Sequence, residues 1–214
     1  MSSQQAQWMN EFRTEFQGGV ERGKPAPDFA CIDWQGETLR LSEMAGGRVW
    51  LAFFRYAACP MCNLRVQEMI DRCPAWAVPE FRIIGVIHSP AEHVPQYMGK
   101  LRPPFPLLCD PGMGLYKLYG VREAKGWNVV HPGGLLRHFQ ALLRGFKPGP
   151  VDSTFAMVPA DFLIGEDGVV EQVHYGRHPG DHIPFGEVER WLGFQLPSPR
   201  YVKRGKARTE EPKG

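Results

Sequence analysis

The sequence predicts an α/β fold, a central mixed β-sheet flanked by helices, and three observations predict it. Two apolar runs, Arg48 to Arg55 and Arg82 to Ile87, read as strands buried on both faces. A helical pattern, Leu64 to Cys73, lies between them and makes a βαβ unit with parallel strands. Farther on, Ala160 to Ile164 and Val169 to Tyr175 are separated by the turn signal Glu166-Asp167-Gly168, so these two pair antiparallel before a last helix, Pro184 to Leu192. Early strands that alternate with helices and late strands that pair directly give a mixed sheet.

The remaining elements follow in order. Trp8, Met9, Phe12 and Phe16 recur at helical spacing, so residues 1–22 read as an extension carrying an amphipathic helix that ends at Gly18-Gly19. It buries one face on the body of the chain or forms a homodimer contact. Phe29 to Asp33 and Glu37 to Leu41 predict an N-terminal hairpin around Gln35-Gly36, and Ser42 is expected to cap a helical turn, Glu43 to Ala45. Cys73-Pro74 stops the first long helix. Ala91 to Lys100 reads as a helix, Phe105 to Leu108 as a short strand, and Gly112-Met113-Gly114 opens a short helix through Tyr119. Residues 126–151 form a helical insertion with a helix from Leu135 to Leu143, carried on one domain of residues 23–196. The basic tail, 197–214, has little to bury and is expected to be disordered.

Composition excludes several classes. The 214 residues suffice for one domain with a full core, and 43% hydrophobic with 22% charged residues is ordinary for a globular protein. A net charge of +2 gives no single-sign field for nucleic acid or an acidic membrane. No run approaches the roughly 18 apolar residues of a spanning helix. Met1-Ser2-Ser3-Gln4-Gln5 has neither a basic n-region nor an apolar h-region, so no signal peptide is expected and a reducing cytoplasm is the expected location.

The chemistry sits at Cys59-Pro60-Met61-Cys62. Strand, turn, thiol and helix follow one another there. That order puts Cys59 at a helix N-terminus, where unpaired amides and the macrodipole favour a thiolate. Pro60 suits the first helical position, and Cys62, one turn on, is near enough to close a disulfide. Arg55 and Tyr56 end the first core strand and His88 ends the second. All three are therefore candidates to face Cys59, Arg55 as the cation that lowers the thiol pKa. Zinc is the competing reading of a C-x-x-C, but one such motif supplies two ligands of four, so no metal and no bound cofactor is expected. Cys31, Cys73 and Cys109 read as buried, inert thiols. Asp161 is an odd residue in an apolar strand, there to relay a proton or to satisfy local backbone groups. His174, His178 and His182 read as capping and surface residues.

Several stretches resemble the peroxiredoxins of the alkyl hydroperoxide reductase/thiol-specific antioxidant (AhpC/TSA) family, which have a thioredoxin-like fold. They are Lys24-Pro25-Ala26-Pro27-Asp28-Phe29, Gly36 to Leu41, Val49 to Phe54 with Ala58-Cys59-Pro60, Phe105 to Pro111, Tyr119-Gly120-Val121 and Phe162 to Gly168. The resemblance implies a peroxidatic role for Cys59 and a cis-proline beside it, with Val158-Pro159 the natural candidate. It also implies a thioredoxin- or glutathione-type reductant. The chain departs from the family pattern at Tyr56, where the family has threonine, at Ala52, where it has proline, and in lacking its later-strand arginine. Cys62 also departs, and gives the scaffold a disulfide-reductase dithiol. Three functional classes follow. The first is a thiol-disulfide oxidoreductase acting through Cys59 and Cys62 on disulfides and, secondarily, peroxides. The second is a true thiol peroxidase with Cys62 resolving, and the third a non-enzymatic binding module.

Overall fold

The computed structural model describes residues 19–152 and 156–195. The expected amphipathic helix around Trp8 to Phe16 and the expected disordered tail lie outside the described residues. A hairpin, β1 (Ala30–Ile32) and β2 (Thr38–Arg40), precedes the main sheet. The main sheet contains β3 (Arg48–Phe53), β4 (Phe81–Ile87), β5 (Leu107–Cys109), β6 (Ala160–Ile164) and β7 (Val170–Tyr175). Its order is β5-β4-β3-β6-β7. β3, β4 and β5 run parallel, while β6 and β7 are antiparallel. Among the described residues there are four α-helices: α1 (Pro60–Arg72), α2 (Gly114–Leu118), α3 (Pro132–Leu143) and α4 (Phe185–Trp191).

The side-chain period of two along β3 makes two cores. Val49, Leu51 and Phe53 face Phe29, Tyr116, Tyr119 and Phe162, while Trp50 and Phe54 face Val66 and Met69 of α1 and Val188 of α4. Both faces are covered, so the run is apolar throughout. Gly85, in mid-strand, has a packing reason: a Cβ there would lie 2.5 Å from Leu107 Cδ2 and 3.1 Å from the Phe54 ring.

Three local expectations are corrected. The segment Ala91 to Lys100 is two 3₁₀ turns, Ala91–Gln96 and Met98–Leu101, and not one helix. Pro95 lies inside it, where a missing N–H and ring clash prevent a continuous α-helical ladder. Ser42 caps nothing: the 3₁₀ turn starts at Leu41, and the Ser42 amide donates to Asp28 Oδ1 at 2.9 Å. The Val158–Pro159 bond is trans, because no described peptide bond is cis. The chain is already extended there, with the Pro159 carbonyl accepting from the Gly176 amide at 2.8 Å as β6 begins its pairing with β7.

Leu51 is wholly buried at the centre of the sheet, between Ile84 and Phe162. Leu51→Ala is expected to lower unfolding free energy by about 2–5 kcal/mol, read from the urea midpoint at constant slope. A loss below about 1 kcal/mol would contradict this placement.

Candidate functional site

β3 delivers the site. Beyond Phe53 the chain stays tied to β4, with the Phe54 amide donating to the Val86 carbonyl at 2.8 Å and the His88 amide to the Arg55 carbonyl at 2.9 Å. The Tyr116 hydroxyl donates to the Phe54 carbonyl at 2.6 Å. A turn follows, closed by the Cys59 amide on the Tyr56 carbonyl at 3.1 Å. The Ala57 amide donates to Ser89 Oγ at 2.9 Å, and Ser89 donates to Asp152 at 2.6 Å. Cys59 is then the extended residue before α1, with Pro60 at the first helical position. Asn63 pins the turn from the next helical turn, its side-chain amide donating to the carbonyls of Ala57 at 2.7 Å and Cys59 at 2.8 Å.

The two thiols are adjacent and inequivalent. The Cys59 and Cys62 thiols lie close enough to interact, and Arg55 Nη1 lies 3.6 Å from Cys59 Sγ. Burial pushes the Cys59 thiol up, but the Cys62 thiol, the Arg55 guanidinium and the amides of Cys62 and Met61 outweigh it. The net effect lowers it to about 7. Cys62 is pushed well above the ordinary thiol value by burial, by donating to Cys59 and by the Cys59 charge. One sulfur is prepared as a thiolate and the other as its proton-bearing donor. Tyr56 is buried, its ring 5.2 Å from the Arg55 guanidinium, and burial and then the Cys59 charge push its phenol up to about 12.

Cys59 stands at the helix N-terminus that the sequence predicts, and the structure buries it completely. On the Cys62 side the site is closed by groups from far along the chain. Arg55, Met61, Cys62 and Pro159 share a cleft with Arg137 of α3 and with the 179–182 segment. Its cavity is about 10 Å³, which admits about one water. Arg137 is clamped to Glu68 of α1 through two bonds, one of them 2.9 Å. His131, at the start of α3, stacks on His178 with ring centroids 4.5 Å apart.

Of the residues singled out from sequence, Arg55, Cys59, Cys62 and Pro159 come together, and Tyr56 sits behind Arg55. His88 does not join them: its Nε2 is 2.9 Å from the Pro111 carbonyl and its ring packs on Tyr116. His182 is neither a cap nor a surface residue, being buried with its Nδ1 3.0 Å from Asp161 Oδ2. Arg137 and His182 carried no local signal; the one clue was Asp161, a carboxylate that burial obliges to find partners. Among the described residues no group of three or more His, Cys, Asp or Glu is placed to hold a metal. Burial pushes the Cys31 and Cys109 thiols up to about 12 and raises that of Cys73.

The fold and site define a protein of thioredoxin-like fold with a two-cysteine centre at the N-terminus of α1. The description "AhpC/TSA family" matches residues 22–173, and the chain belongs to that family. It is 30% identical over 104 residues to the chloroplastic peroxiredoxin Q of Triticum aestivum, a match covering 49% of this chain and 48% of that protein. It is 28% identical over 113 residues to the thiol-disulfide oxidoreductase ResA of Halalkalibacterium halodurans, covering 52% of this chain and 64% of that one. The chain thus spans about half to two thirds of the length of these two relatives. Among solved structures, peroxidoxin BcpB of Mycobacterium tuberculosis superposes with a TM-score of 0.57 at 20% identity, covering 81% of this chain and 95% of that one.

The charge on Cys59 depends on Arg55. Arg55→Met is expected to slow alkylation of Cys59 by iodoacetamide at pH 7 by roughly tenfold, and far less at pH 9.5, because one pKa unit is about a tenfold change in thiolate fraction below the pKa. Equal slowing at both pH values, by peptide mass mapping, would contradict the assignment.

Proposed function

We propose that this chain is a thiol-disulfide oxidoreductase in which Cys59 is the nucleophile and Cys62 the resolving thiol. The observation that carries the reading is the adjacent thiol pair at the start of α1, with Arg55 3.6 Å from Cys59 Sγ and the acidity split between the two sulfurs. The Cys59 thiolate attacks one sulfur of a disulfide; that S–S bond breaks, and the departing thiolate takes up a proton. Cys62 then loses its proton and attacks the Cys59 sulfur. The second substrate thiolate leaves, and a Cys59–Cys62 disulfide remains. Two electrons have passed from the protein to the substrate. A thioredoxin- or glutathione-type thiol returns them.

The cavity size favours a second substrate on the same pair. The space beside Cys62, about 10 Å³, admits something on the order of a water, so a small peroxide needs less further opening to reach Cys59 than a disulfide does. Cys59 would attack one peroxide oxygen, the O–O bond would break, and Cys62 would condense with the sulfenic acid to release water. Tyr56 stands in the turn where the family threonine is absent, so Arg55 is the residue left to stabilise the departing oxygen. The redox cycle suits a reducing cytoplasm, which is the location we propose; no described helix is long and apolar enough to cross a membrane. A homodimer is the proposed assembly, supported by the exposed Leu135, Leu136, Phe139 and Leu143 on α3.

Turnover of a small disulfide, with thioredoxin and its reductase as donor, tests the reading. Cys59→Ser is expected to lose roughly 10³-fold or more, as removal of a nucleophile does. Cys62→Ser is expected to accumulate a mixed disulfide on Cys59, seen as an added mass. Full activity in Cys59→Ser would reject the proposal.

A further inference from the structure

Resolution requires Cys62 to lose its proton, and nothing described so far receives it. Arg55 cannot, since a guanidinium has no acceptor. One acceptor lies across the cavity. His182 lines the same cleft of about 10 Å³ as Cys62. Its ring packs on Phe54 with centroids 5.1 Å apart, and its Nδ1 is 3.0 Å from Asp161 Oδ2. That bond assigns the Nδ1 proton to the carboxylate side and leaves Nε2 as the acceptor.

Asp161 holds this arrangement. It is wholly buried and accepts from Trp50 Nε1 at 3.0 Å and from the Ile183 amide at 2.9 Å as well as from His182. Burial pushes its carboxyl up, but His182, Arg65 and the Ile183 amide outweigh this and keep it ionised. Arg65 is fixed on the other side by its 2.6 Å bond to the Ile183 carbonyl and by Phe185, 3.7 Å beneath its guanidinium. Burial lowers the His182 ring below the ordinary imidazole range, and the Asp161 charge opposes that. The result at neutral pH is a carboxylate beside a neutral imidazole.

The geometry points to His182 as the general base for Cys62, oriented by Asp161, a dyad that serves the resolving thiol and not the nucleophile. This rests on the dithiol reading above. In the step, the Cys62 S–H proton passes to His182 Nε2, directly or across one water. The Cys62 sulfur forms its bond to Cys59 while the bond from Cys59 to the substrate sulfur breaks. The imidazolium returns its proton to the departing thiolate, so the ring ends as it began. Asp161 stabilises the transient imidazolium. Arg65, and across the cavity Arg55 and Arg137, oppose it, and His174 adds a further cation when protonated.

The test is stopped-flow reaction of the reduced protein with the chromogenic disulfide of thionitrobenzoate, with the Cys59→Ser protein subtracted as background. The first release of thionitrobenzoate reports attack by Cys59 and scales with reagent. The second reports attack by Cys62 and does not. His182→Phe is expected to slow the second phase about 100-fold, the lower range for a general base, and to leave the first within about twofold. Added imidazole is expected to restore much of the second phase in His182→Ala. The wild-type second phase should level off above the His182 transition, whereas in His182→Phe it climbs with pH until Cys62 itself ionises. An unchanged second phase, or equal slowing of both phases without imidazole rescue, overturns the role of His182. If the variants do not fold, the wild-type profile decides: a second phase rising tenfold per pH unit from pH 6 to 9, with no plateau, also overturns it. Failure of the dithiol reading is distinct, since wild type would then show no second phase that depends on Cys62.

Discussion

The site depends on keeping a charge on a sulfur atom that solvent does not reach. An isolated buried anion would neutralise itself, so each element of the site supplies part of the compensation. The end of β3 supplies the Arg55 guanidinium, the start of α1 supplies amides at Met61 and Cys62, and the next turn of α1 supplies the Cys62 thiol. The same bond that lowers one thiol raises the other. The two thiols are thus set apart in acidity by their interaction with each other.

The rest of the fold keeps that arrangement rigid and then closes it. The doubly covered sheet fixes the direction of β3, and Tyr116 satisfies carbonyls where β3 and β4 leave the ladder. Asn63 and Ser89 hold the turn from two different elements. Closure is the task of α3 and the segment before α4, through the Arg137–Glu68 clamp and the stacked His131 and His178. A closed site protects the thiolate and sharpens its electrostatics, and it also makes opening at this cover part of any reaction with a bulky substrate.

Much of the architecture was legible because burial leaves a local record. The β3 and β4 runs are apolar on both faces, and Gly168 marks the last hairpin turn, with φ of 76°. The C-x-x-C was legible for the same reason, its helix start being written in Cys59, Pro60 and Met61. What failed was whatever depended on distant chain. The cleft beside Cys62 is lined from 137 and 179–182, and His182 is paired with Asp161 across 21 residues. Pro95 is plain in the sequence, but the apolar spacing around it is that of a helix, and only its missing N–H splits the 91–100 segment into two 3₁₀ turns. The expected cis bond at Pro159 came from resemblance and not from any property of the residues around it.

The most direct measurement is a thiolate titration of the reduced protein by far-ultraviolet absorbance, with and without Cys59→Ser. The account predicts one thiolate that appears near pH 7 and vanishes in the variant, while the remaining thiols stay protonated past pH 9. A titration in which all five cysteines ionise together near the ordinary thiol value, unchanged by the substitution, would contradict it.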